Sequence, residues 1–237
     1  MGAGVKNTKK KKVRRGRGGS KKCTNQSLKI VGKNCAGLRG KNDSFKNLLK
    51  TFLPAVAMLQ ETKLYRRGTM QFENYMCFEK IRGDKEGGGL MTLVHINFDP
   101  ILIPTKMSSN VLIVEVKLND RKTRFINAYG VQEVASIEEK TEFYSILEEE
   151  ILMTLDSGHM LCIELDANAK FGKKIIPNDP PEISANGRLL LSLVERMNLV
   201  IVNSTMKCHG TITRMKKSKI MLKKVCWTIS WFVKTFI

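Results

Sequence analysis

Acidic residues are missing from both ends of this chain, and that absence locates its charge. Residues 1–22 hold ten Lys and Arg and no acid, and residues 206–237 hold eight and again no acid, within a 237-residue chain of formal net charge +19. Between 23 and 205 the balance is 23 basic against 22 acidic residues, so the middle is almost neutral. Such a distribution marks basic tails on an ordinary domain rather than a domain basic throughout.

Other absences exclude whole classes. No run approaches the roughly 20 apolar residues of a membrane-spanning helix, and no apolar stretch follows the charged start as in a secretory leader. Six cysteines (Cys23, Cys35, Cys77, Cys162, Cys208, Cys226) form no CxxC pair and no zinc-finger spacing. The expectation is reduced thiols and an intracellular, nuclear protein with no membrane partner. No internal repeat is present. A composition 42% hydrophobic and 27% charged is globular, and the length suits one folded domain.

Residues 1–27, with Lys9–Lys12, Arg14, Arg15 and Arg17 among glycines, read as a disordered basic tail that binds nucleic acid or is simply solvated. Residues 28–214 read as the domain and 215–237 as an atypical basic and apolar tail. Strands are expected at 28–31, 55–59, 89–95, 111–118, 124–129, 160–165 and 199–202, with Asn119-Asp120 turning between two of them. Ser44 reads as the N-cap of a helix that Pro54 stops. Ser136 and Glu139 form a capping box for a helix of about 18 residues, whose Glu138, Glu139, Glu142, Glu148, Glu149 and Glu150 read as a solvated face. A further helix is expected over 186–197. Adjacent strands as hairpins, without regular βαβ alternation, imply mixed sheets sandwiched by helices.

Four strands end in polar residues that stand out from apolar lead-ins: Asn34, Glu61, Tyr129, and Asp166 with Asn168. Gathered in one cleft they match the needs of metal-assisted phosphodiester cleavage, which are an oxygen ligand, a group to orient or deprotonate water, and donors for the developing phosphorane charge. Glu61 supplies the first, Asp166 the second, and Asn34, Tyr129 and Asn168 the third. Singly, each also has a plain structural reading as a turn residue or strand end.

Seven stretches in order carry a resemblance: Asn34-Cys35-Ala36-Gly37-Leu38-Arg39, Leu59-Gln60-Glu61-Thr62-Lys63, Gly87-Gly88-Gly89-Leu90, Asn127-Ala128-Tyr129-Gly130, Asp166-Ala167-Asn168, Asn186-Gly187-Arg188-Leu189 and Gly210-Thr211-Ile212-Thr213-Arg214. With them the chain resembles the endonuclease/exonuclease/phosphatase superfamily, most closely the endonuclease domain of LINE-type (non-LTR) retrotransposons. The resemblance implies a four-layer α/β sandwich of two mixed β-sheets flanked by helices. It implies Mg2+, or Mn2+, held by Glu61 with Asn34 close by, Tyr129 on phosphate, Asp166 activating water and Asn168 stabilising the pentacovalent state. DNA would be the partner, with no small-molecule cofactor. Leu165, Val131-Gln132 and Lys33 depart from the family's Gly, Pro-Asn and aromatic.

Family members also carry a late strand with Asp and a terminal Asp-His pair, yet nothing after Glu195 is acidic. His95, His159 and His209 read as structural or surface residues rather than substitutes. Codons for Lys224-Val225-Cys226-Trp227-Thr228, read one nucleotide out of register, can encode S-[LMV]-L-D, and continuing through Phe232 allows SVLDYFLV. The expectation is a frameshifted, truncated C-terminus and a sandwich missing its last strands. Function then follows as a Mg2+-dependent DNA-nicking hydrolase impaired by that loss, or an inactive remnant binding nucleic acid weakly. A lipid or small-molecule phosphatase is the third reading.

Overall fold

The structure is a computed structural model that describes residues 28–81, 88–105, 110–118, 120–173, 179–202 and 232–234. The basic tail 1–27, His209, the Gly210–Arg214 stretch and nearly all of the frame-shifted reading lie outside the described residues. So do Cys23, Cys208 and Cys226. Cys35, Cys77 and Cys162 are free thiols.

Strands β1 (Ile30–Asn34) and β2 (Val56–Gln60) flank helix α1 (Asn42–Phe52) in the chain and lie parallel, with Asn34 opposite Gln60. Strands β3 (Tyr75–Lys80) and β4 (Leu90–His95) complete a four-stranded sheet in the order β1-β2-β4-β3. The second sheet runs β5-β6-β7-β8-β9, from β5 (Pro100–Ile103), β6 (Val111–Leu118), β7 (Arg121–Tyr129), β8 (Met160–Asp166) and β9 (Phe232–Lys234). Within it β7 and β8 are parallel, with Tyr129 opposite Asp166. Helices α2 (Ile137–Asp156) and α3 (Ala185–Arg196) cover its outer face.

Alternation along the strands separates the layers. Ala57, Leu59, Met91 and Leu93 pack outward against Phe45, Leu48 and Leu49 of α1. Val56, Met58, Val94, Val114, Val116, Phe125 and Cys162 face inward and join the two sheets. Ile126, Ala128, Leu161, Ile163 and Leu165 face α2 and α3, meeting Phe143, Leu147, Ile151, Leu190 and Leu193. The result is the four-layer α/β sandwich expected from the resemblance.

The Ser136 capping box forms in full, its hydroxyl accepting from Glu139 N while Glu139 accepts from Ser136 N. Ser44 is no cap. The chain enters α1 through a 3-10 turn at Arg39–Lys41, so backbone hydrogen bonding opens the helix two residues before Ser44. The acidic face of α2 is not all solvated either. Glu150 is 4% exposed, and Glu148 accepts from the Arg196 guanidinium on α3 at 3.0 and 2.5 Å. Residues 199–202 form no named strand; Leu199 is buried in the core beneath α2 and α3. At the β8 edge, where final strands were expected to be missing, Phe232–Lys234 supplies a short antiparallel strand opposite Leu161–Ile163.

Candidate active site

Parallel pairing sets the site. Because β1 runs alongside β2 and β7 alongside β8, the carboxyl ends of all four reach the same rim of the sandwich, the place where α/β sheets present ligand groups. Asn34, Glu61, Tyr129 and Asp166 stand at those ends.

One hydrogen-bonded cluster joins them. The Asn34 amide Nδ2 donates to Glu61 Oε1 at 2.9 Å and to Asp166 Oδ2 at 2.5 Å, so one nitrogen separates two carboxylates. Its own Oδ1 accepts from Ala36 N at 2.9 Å, which fixes the amide's orientation. The Tyr129 hydroxyl also donates to Glu61 Oε1, at 2.9 Å, and accepts from Gln132 Nε2 at 2.8 Å. Asp166 Oδ1 accepts from Asn168 N at 3.2 Å. Asn168 stands at the edge of the cluster, its Nδ2 donating to Gly130 O at 2.9 Å. Lys63 Nζ lies 3.9 Å from Glu61 Oε2, an exposed and therefore weak pair.

The backbone here is held by its surroundings rather than by local preference. Ala36, Glu61, Lys63 and Asn168 all have positive φ, between 45° and 51°, a region that side chains with a Cβ adopt at some cost. Hydrogen bonds between loops compensate. Gly37 N and Leu38 N donate to Glu61 O and Thr62 O, while Thr62 N and Lys63 N donate to Gly89 O and Gly88 O. Gly89, at φ +85°, lies where a Cβ would sit 2.6 Å from Thr62 Oγ1, so no larger residue fits.

Beneath the rim, the space between the sheets turns polar. Asn127, fully buried, accepts from Gln60 Nε2 at 2.8 Å and donates through Nδ2 to Leu59 O, Met91 O and Thr92 Oγ1. Glu164, 2% exposed, points from β8 to the place where β1 has Gly32, whose absent Cβ would lie 2.0 Å from the carboxyl carbon. Asn127 and Glu164 share the inward face with Tyr129 and Asp166, two residues along each strand. Period-two spacing was the signal that could have found them. Gln132, in the loop after β7, had no such signal.

Burial, together with the Glu61 carboxylate that accepts its proton, pushes the Tyr129 phenol up to about 12. The hydroxyl is therefore a neutral donor throughout the physiological range. Burial likewise pushes the Cys35 thiol up to about 12, so the cysteine beside Asn34 stays an inert thiol.

The histidines stand elsewhere. His95 closes β4 opposite Tyr75, its ring edge-to-face at 5.2 Å, and pairs across the sheet with the start of β2 rather than its end. His159 precedes β8 and lies 3.7 Å from Glu115, a strand's length from Asp166. Among the described residues no histidine joins the cluster, and no group of three or more His, Cys, Asp or Glu is placed to hold a metal ion.

The donors are nevertheless suited to a hard cation. Glu61 and Asp166 offer carboxylate oxygens on a partly exposed rim, and Mg2+ is commonly held by one or two carboxylates while keeping several waters. Such a donor set describes a hydrated site rather than a cage of protein ligands.

Two face-to-face mixed sheets between helical layers thus carry an acidic and amide cluster at their shared rim, and this architecture can be set beside known folds. Comparison with solved structures agrees. The endonuclease domain of TRAS1, a telomere-specific non-LTR retrotransposon, matches with a TM-score of 0.59 at 15% identity, over 78% of this chain and 75% of that one. An AP endonuclease from Archaeoglobus fulgidus gives 0.63 at 16%, over 87% and 86%. The AP endonuclease LMAP from Leishmania major gives 0.62 at 16%, over 87% and 78%. At these identities the likeness is one of fold, and at that level the resemblance read from the motifs holds. No family model and no curated protein matches the chain in sequence.

Proposed function

We propose that this chain is a divalent-metal-dependent phosphodiester hydrolase that nicks DNA. The carrying observation is the Asn34 amide set between the Glu61 and Asp166 carboxylates, with the Tyr129 hydroxyl on Glu61, at the rim where both sheets end. The fold shared with nucleases supports the choice of substrate class, and the basic residues about the rim favour a polyanion.

In this reading Glu61 holds Mg2+ or Mn2+, with Asn34 beside it. The cation, when bound, would offset charge developing on the phosphoryl oxygens and leaving group. Asp166 orients an attacking water and takes its proton, its carboxylate being held from one side by Asn34 and from the other by Asn168 N. Tyr129, whose neutral O–H rests on Glu61 in the free protein, turns it to a phosphate oxygen when substrate enters. Asn168 donates through Nδ2 to Gly130 O and also meets the Tyr129 hydroxyl, so in this reading it reaches the pentacovalent state together with Tyr129.

A second reading, a cleft that holds nucleic acid without cutting it, is supported by the exposed cations Arg39, Lys63, Arg66 and Arg67 on the loops that leave β1 and β2. Incubating the full chain with supercoiled plasmid and Mg2+ separates the two. Conversion to open circles that stops with chelator, and falls about 100-fold or more in Glu61→Ala, supports hydrolysis. DNA binding without any conversion favours the second reading. Hydrolysis of an inositol phosphate without plasmid nicking would favour a phosphatase.

A further inference from the structure

The loops that leave β1 and β2 run side by side, tied by the hydrogen bonds of Gly37 N and Leu38 N to Glu61 O and Thr62 O at 2.8 and 3.0 Å. Each loop sinks a leucine into the core against α1, Leu38 at 1% exposure and Leu64 at 5%. The next residue in each, Arg39 and Tyr65, is thereby fixed outside. Tyr65 is 64% exposed, and the Arg39 guanidinium carbon lies 5.9 Å from its ring centroid.

A tyrosine held in the open, with a cation against one face, keeps the remaining ring surface free for a flat partner. Lys63, Arg66 and Arg67 are exposed around it, and Lys63 is the same lysine whose ammonium reaches Glu61. An aromatic face among cations on a pinned backbone is the arrangement that holds a single strand, with bases stacked on the ring and phosphates on the charges.

We propose that Arg39 and Tyr65 form a stacking platform for one unpaired nucleobase of the strand whose phosphodiester enters the Glu61–Asp166 cluster. This rests on the nuclease reading and specifies its substrate as nucleic acid with an unstacked base beside the scissile bond. The base stacks on Tyr65, and Arg39 orients the ring from its other side. Stacking does not read base identity, so the preference is for unpaired structure rather than for sequence.

The test uses the full chain in chelator, so that binding is read without cleavage. Fluorescence anisotropy compares a fully paired labelled duplex with the same duplex carrying one unpaired nucleotide. Wild type is expected to bind the second about tenfold more tightly, in the range that base–aromatic stacking supplies. Tyr65→Ala should erase that margin while binding the paired duplex within about twofold of wild type, and Tyr65→Phe should keep it. Arg39→Ala should shrink the margin too, a second variant at an exposed position. A margin that survives in Tyr65→Ala overturns the platform. So does a wild type that nicks plasmid with Mg2+ yet binds both duplexes equally, and the nuclease reading is then untouched. A wild type that neither binds nor nicks DNA overturns that reading and the platform with it.

Discussion

Tyr129 shows how a residue's chemistry follows from its position. Placed at the last pair of a buried strand, its hydroxyl has Glu61 as acceptor and Gln132 as donor, and its proton is held beyond the usual phenol value of 10, to about 12. A raised value means that the contribution to stability is complete below pH 10, where folded and unfolded chains both keep the proton, and is lost as pH rises toward 12. Burial alone pushes Tyr75 to the same region. Tyrosinate absorbance during an alkaline titration should therefore show a late phase that loses part of its amplitude in Tyr129→Phe; an unchanged late phase would contradict the environment described. Asn34, Glu61, Tyr129 and Asp166 were legible because polar residues closing apolar runs stand out. The positive φ at Ala36, Glu61, Lys63 and Asn168 was not, because hydrogen bonds from distant loops impose it.

Among the elements, legibility tracked how local the cause was. The capping box at Ser136 needs only residues three apart, and it forms; Ser136→Ala should lower the unfolding free energy by about 1 kcal/mol. Strand β6 matched its expected bounds because Val111–Val114 open it as an apolar run that Val116 and Leu118 continue at alternate positions. Strands β3 and β5 escaped notice because their sequences lack that pattern: β3 ends in Glu79 and Lys80 and is largely half-buried, and β5 opens on Pro100 with Ile101 and Leu102 exposed. Only their pairing with β4 and β6 makes them strands. The start of α3 depends on contact across the fold. Asn186 Nδ2 donates to Val131 O at 3.0 Å, and a Cβ on Gly187 would lie 2.1 Å from Lys170 O. Gly187→Ala should cost about 2 kcal/mol by overpacking against backbone that cannot yield, measured by denaturant unfolding. An unaffected midpoint would show that α3 sits farther from Lys170.

Across the whole molecule, the packing between the sheets is apolar at one end and polar at the other. Phe125, Val56, Met58 and Cys162 fill the first; Gln60, Asn127, Thr92 and Glu164 fill the second, directly under the rim. The polar end keeps the two sheets in a single register, because Asn127 bonds to three separate groups on the facing sheet through one nitrogen. Asn127→Ala orphans these buried partners and should destabilise by about 3 kcal/mol. It should also lower nicking by altering the separation of β2 from β7, on which the Glu61–Tyr129 contact depends. Mixed sheets between helices were legible from the adjacent hairpin strands, and the four-layer order from the family resemblance. The polar underlayer went unread: period-two spacing from Tyr129 and Asp166 marks Asn127 and Glu164, but Gln60 and Thr92 are unremarkable until the opposite sheet faces them.

The central claim is that residues from two sheets make one reactive unit, and a double-mutant cycle on plasmid nicking tests it most directly. Rates with Mg2+ would be compared for wild type, Glu61→Ala, Asp166→Ala and the pair together. One shared site predicts that each single change costs on the order of 100-fold or more and that the double variant is little slower than the worse single, because either loss disables the same step. Losses that multiply in full, or an Asp166→Ala variant that nicks at the wild-type rate, would contradict it.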